Sequence, residues 1–125
     1  MNGELYRRAR VLAGQWAAEP DRVPHNLAQG ASAIPGSGPV VYIVGDLLNQ
    51  VAYVGSSMTG AAGRLRDHLT EPAKRRTWRS VWLIPLSVAT PDSEVRRIEG
   101  RVGARLRPTG SRRLPKAFGP PASGK

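Results

Sequence analysis

"VAYVGSSMTGAAGRLRDHL", residues 51–69, decides how this chain is read, because its pattern changes period in the middle. Val51 to Val54 is β-prone. Leu65 and Leu69, four apart, share a helical face beside that of Arg64 and His68. Between the two patterns, Gly55 to Gly60 fits G-x-x-x-x-G, the frame in which a P-loop cradles phosphate. Ala61-Ala62 follows, where that loop needs lysine and then serine or threonine. The groups that reach the β/γ-phosphates and hold Mg²⁺ are missing, so nucleoside triphosphate hydrolysis is rejected.

Working outward, "VVYIV" (40–44) and "VAYV" (51–54) flank "GDLLNQ" and predict an antiparallel hairpin. With the turn centred between Leu47 and Leu48, residue i faces residue 95 − i, and Tyr42 lies directly opposite Tyr53. "AAGRLRDHL" (61–69) predicts a short helix ended by Glu71-Pro72, and "WRSVWLIPL" (78–86) a strand covered on both faces. "PDSEVRRIEGRVGARL" (91–106) is the clearest helix, capped by Asp92 or Ser93 with Glu94 in its first turn. Residues 4–18 place Leu5, Ala9, Leu12 and Trp16 at helical spacing opposite Arg7, Arg8 and Arg10. The Pro-, Gly- and Ser-rich stretch up to Pro39 reads as a linker. The expectation is an α/β (α+β) fold, with a three-stranded antiparallel sheet flanked by helices and an extra N-terminal helix. Its parts are an N-terminal helix and linker (1–37), a compact domain (38–116) and a disordered tail (117–125).

The length of 125 residues suits one core-bearing domain. Cysteine is absent, which excludes a disulfide framework and thiolate chemistry. His25 and His68 are the only imidazoles, so any metal should be a hard one held by oxygen. Nineteen Lys and Arg against nine Asp and Glu leave a charge of +10. Arginine dominates that excess, and its planar fork matches phosphate oxygens, which makes nucleic acid the first partner to consider. A solvated cationic surface is the plainer account of the same charge. No stretch could span a bilayer, and charges stand where a signal peptide needs an apolar run, so a cytoplasmic protein is expected.

Three placements call for explanation. Paired tyrosines are either ordinary sheet packing or part of a site. Arg64 and His68 share a helix face close to the end of Tyr53's strand, and a solvated face would equally account for them. Glu99 lies about 40° round from Val95, at the edge of the stripe formed by Val95, Ile98, Val102 and Leu106. A carboxylate there is costly unless it pairs with arginine or holds a metal such as Mg²⁺.

Taken together, "VVY", then "YVG" with Tyr53 eleven residues after Tyr42, then "RLRDH" and a later helix carrying glutamate resemble the GIY-YIG nuclease superfamily over roughly residues 38–114. Val40 stands where that family usually has glycine. The resemblance puts Arg64 on the catalytic arginine, His68 on a frequent helix histidine and Glu99 on the metal-binding glutamate. It implies an endonuclease using Mg²⁺ or Mn²⁺, with a 5′-phosphate product. The catalytic set is Tyr42, Tyr53, Arg64, His68 and Glu99, with Glu99 also the metal ligand. Tyr42, before Tyr53, orients or deprotonates water. Gly55, Ser56, Arg66, Arg112 and Arg113 form the nucleic-acid-contacting set. The family often carries an asparagine beyond the glutamate helix; Ser111 stands near that place and is not given its role. DNA is expected before RNA, and a protein partner could supply specificity. A non-catalytic binding module that keeps the fold, and a basic interaction protein, remain the other readings.

Overall fold

A computed structural model describes residues 1–109. It contains α1 (Gly3–Arg10), a 3₁₀ segment (Val11–Trp16), β1 (His25–Asn26), β2 (Val40–Asp46), β3 (Val51–Ser57), α2 (Ala62–His68), α3 (Pro72–Thr77), β4 (Trp78–Pro85) and α4 (Asp92–Leu106). The strands form one antiparallel sheet in the order β1-β4-β2-β3. The α+β class and the N-terminal helix are as expected, but the sheet has four strands rather than three.

The fourth strand comes from the stretch read as a linker. His25 and Asn26 pair with Val81 and Ser80 of β4. Just beyond, Leu27, Ala31 and Ile34 are buried against the sheet. Two residues carry no readable period, so the neighbour, not the sequence pattern, makes this strand. The N-terminal helix is also shorter than residues 4–18: the chain breaks from helical geometry at Gly14, whose φ is 57°. α3 is a further addition. Pro72 occupies its first turn, where the absent N–H is no loss, so a residue that reads as a helix end here begins another.

β2 lies at the centre and β3 at an edge, and strand alternation sorts the core into two layers. Val41, Ile43 and Val54, with Trp82 and Ile84, pack against Tyr6 and Ala9 of α1 and Val95, Ile98 and Val102 of α4. On the other face Tyr42, Val44, Val81 and Leu83 meet Leu65 of α2 and the 27–34 segment. This two-sided cover accounts for the apolar run from Val81 to Ile84 in β4.

The hairpin register differs from expectation. Tyr42 faces Gly55 and Tyr53 faces Val44, two residues away from the direct tyrosine pair. The connection spans residues 47–50, with Asn49 in the left-handed region at φ 61°. The Asp46 carboxylate accepts from the Leu48 and Gln50 amides, both at 2.9 Å, and the ladder bulges after Val44. Because the shift is even, both tyrosines keep the same face.

The glycine turn is a packing device. Gly55 to Ser57 belong to β3, and the chain turns at Met58 to Ala61. Gly60 has φ 94°, donates its amide to the Gly38 carbonyl at 3.0 Å, and leaves room for the backbone at Gly36, whose oxygen would lie 2.4 Å from an added Cβ. A side chain there is excluded by both conformation and space.

Candidate active site

β2 and β3 present Tyr42 and Tyr53 toward α2 with ring centroids 6.2 Å apart. Gly55 sits between them in place of a side chain. A Cβ at this position would lie 2.5 Å from the Tyr42 hydroxyl and 2.8 Å from Cε2 of Tyr53. The tyrosine wall therefore requires glycine for close approach rather than for a turn. Arg64, exposed on α2, projects into the same cleft.

The opposite wall is α4. Asp92, Arg96 and Glu99, at i, i+4 and i+7, fall within about 60° of arc, so all three line the cleft together with Val95. Alternation sends Ser56 to the α4 face of the sheet, where its hydroxyl donates to Glu99 Oε1. The tyrosines and Glu99 thus belong to opposite faces, and the cleft that both line passes round the outer edge of β3. Its volume is about 410 Å³.

Burial pushes the Glu99 carboxyl above the usual carboxylate range, opposed by the Ser56 hydrogen bond and then by the positive charges of Arg96 and Arg64. No ion pair among the described residues includes Glu99, so arginine neutralises it only at a distance. Burial also raises both phenols. For Tyr42 the neighbouring Tyr53 and Glu99 add to the effect, for Tyr53 Glu99 alone does, and Arg64 opposes it in each. In this arrangement both hydroxyls remain protonated at neutral pH. They are equipped to orient water or phosphate by hydrogen bonding rather than to remove a proton.

Six of the expected site residues meet here: Tyr42, Tyr53, Gly55, Ser56, Arg64 and Glu99. His68 does not line the cleft. It stands behind Tyr53, with ring centroids 4.7 Å apart, and beside Trp78 at 5.2 Å. Lys74 Nζ donates to His68 Nδ1 at 2.9 Å, leaving the ring proton on Nε2. Arg66 lies on an adjoining groove of about 170 Å³ that shares Ser57, Thr59 and Arg64 with the cleft. Arg112 and Arg113 lie outside the described residues, as does Ser111. Asp92 and Arg96 complete the helix wall without having been singled out for it. Their i, i+4, i+7 spacing with Glu99 was the available signal, but Asp92 read as a cap. The observed cap is Pro91, with no side-chain hydrogen bond.

A metal at this site would be held by one carboxylate. Asp92 is seven residues from Glu99, about 10 Å along the helix axis, too far to share a small cation. Among the described residues no group of three or more His, Asp or Glu side chains is placed to hold a metal. A single carboxylate with a neighbouring hydroxyl fits Mg²⁺ or Mn²⁺ bound mainly through water and substrate phosphate, and does not fit a closed structural site. No helix among the described residues is long and apolar enough to cross a membrane. Neither family models, nor curated proteins, nor solved structures give a match to this chain.

Proposed function

We propose that the protein is a divalent-metal-dependent endonuclease of GIY-YIG type, hydrolysing phosphodiester bonds in nucleic acid, DNA before RNA. The supporting observation is the cleft itself. It gathers Tyr42 from β2, Tyr53 and Gly55 from β3, Arg64 from α2 and Glu99 from α4. Action in the cytoplasm belongs to the same proposal.

Cleavage needs an oriented water, relief of charge on the non-bridging oxygens and help for the leaving oxygen. Arg64, exposed at the cleft mouth, donates its fork to the scissile phosphate. The Tyr42 and Tyr53 hydroxyls orient the attacking water against that phosphate. Glu99, fixed by Ser56, is the metal ligand, and Mg²⁺ or Mn²⁺ bound there supplies Lewis-acid stabilisation of the developing charge. Gly55 leaves the space that the two tyrosine rings occupy, and Arg66 extends the cationic surface into the adjoining groove. His68 acts through Tyr53, which it holds in place.

A second reading, a nucleic-acid-binding module without catalysis, draws support from the raised phenols and the single carboxylate. A titration of Mg²⁺ and Mn²⁺ over plasmid, linear and branched DNA and RNA separates the two. Cleavage should fall by about 10²–10³-fold in Arg64→Ala and in Glu99→Gln. Binding should be retained in both. Undiminished cleavage in both variants would remove the cleft from consideration. Tight binding with no cleavage under either metal would leave the binding module.

A further inference from the structure

A second groove lies away from the β3 edge, on the sheet face that α1 and α4 cover, where α1 packs on Trp82 of β4. It measures about 570 Å³, and Arg7, Arg10 and Arg22 stand on it around Tyr6 and Trp82. Its single carboxylate, Asp21, is already engaged. Oδ2 accepts from the Leu83 amide at 2.7 Å, and Oδ1 lies 3.1 Å from His25 Nε2. Arg10 donates to the Ala18 carbonyl while its Nε, buried, has no partner among the described residues. Neither Arg7 nor Arg22 takes part in an ion pair among them. By contrast Arg8, on the same helix, is paired with Glu4 at 2.7 Å.

We infer that this groove binds the phosphate backbone of a nucleic-acid strand, as a second contact separate from the cleft. Three guanidinium groups against one carboxylate leave the groove net positive, and the arginine fork suits phosphate. The floor argues against a nucleoside or free nucleotide. Tyr6 is stacked on Trp82 with centroids 4.6 Å apart, and the two are only 1% and 5% exposed. No aromatic face is left for a base, so recognition rests on the charged rim and is independent of sequence. The inference rests on nucleic acid being the partner and needs no cleavage.

Its test is anisotropy of a labelled oligonucleotide with the full chain over a range of salt. The Arg7→Gln/Arg22→Gln double variant is compared with Arg8→Gln, all three positions being exposed. The double variant should bind about tenfold more weakly at moderate salt, with the log–log salt slope reduced by about 2, while Arg8→Gln matches the parent. Amide NMR with inorganic phosphate should move signals at Gly3 and Arg22 in the parent, and these shifts should vanish in the double variant. Oligonucleotide binding unchanged in the double variant overturns the groove while nucleic acid stands as partner. So does an equal loss in Arg8→Gln, which marks diffuse surface charge. A parent chain with no salt-dependent binding overturns both.

Discussion

The two walls of the cleft are built on opposite terms. The tyrosine wall is held by packing: Tyr42 is almost fully buried over Gly55, and Tyr53 is backed by His68 and Trp78. The helix wall is held against an electrostatic cost, with Glu99 partly buried, fixed by one hydroxyl and in no ion pair among the described residues. Stability is thus concentrated in one wall and expended in the other, and substitutions on the two should move stability in opposite directions. Such opposition is common where a site needs a charge that the fold alone would not choose.

The sharpest way to break this contrast is Tyr42→Ala. Truncating a buried aromatic ring should lower stability by about 3–5 kcal/mol, read by urea denaturation. Tyr42→Phe keeps the ring and should stay within about 1 kcal/mol of the parent while losing the hydroxyl's share of any cleavage. If Tyr42→Ala cost little, the wall would not be a packed one. Next comes Gly55→Ala. Its methyl would meet Tyr42 and Tyr53 well inside contact distance, and rearranging two rings should cost about 2 kcal/mol. Near-neutral stability there would mean the rings can swing aside.

On the helix wall the sign reverses. Glu99→Gln keeps an acceptor for Ser56 and removes the charge, and a gain of about 1 kcal/mol at neutral pH is expected. Because the folded-state pKa is raised, ionising Glu99 costs more in the fold than in the unfolded chain, and the whole of that cost is present above the raised value. The gain should therefore shrink as pH falls from the raised pKa towards 4.5, where Glu99 becomes neutral in both states. Loss of stability in Glu99→Gln across the neutral range would place Glu99 in a favourable ion pair instead.

Much of the tyrosine wall was legible, and its legibility followed from period. Arg64 and His68 four apart, and two tyrosines on one hairpin, need only alternation and helical pitch, which survive an even slip in register. The register itself was not legible. It depends on Asn49 adopting positive φ and on a bulge after Val44, neither of which a two-residue turn anticipates. Glu99 stood out by its place on the stripe, but its partner Ser56 is 43 residues away, a contact that no local pattern encodes. The same holds for Gly60, whose need for glycine comes from Gly36 across the fold, and for β1, which has β4 as its only reason to be extended.

The smallest expected effect tests whether the tyrosine wall is packed right through to its rear. Burial depresses the His68 pKa below 6.5, and the Lys74 ammonium lowers it further. Above 6.5 the ring is neutral in folded and unfolded chains alike, and it contributes no pH dependence. Between 6.5 and the lowered folded value the unfolded chain binds the proton and the folded chain does not, so stability should decline as pH falls through that window. Lys74→Ala removes the nearby charge and the donor to Nδ1, so the His68 titration should move up toward 6.5, with burial still holding it below. The decline in stability should narrow with it. Ring-proton NMR reads the first change and denaturation at a series of pH values reads the second. A His68 titration at its ordinary value in the parent chain would mean that water reaches the ring, and that Tyr53 is backed by a mobile imidazole instead of a fixed one.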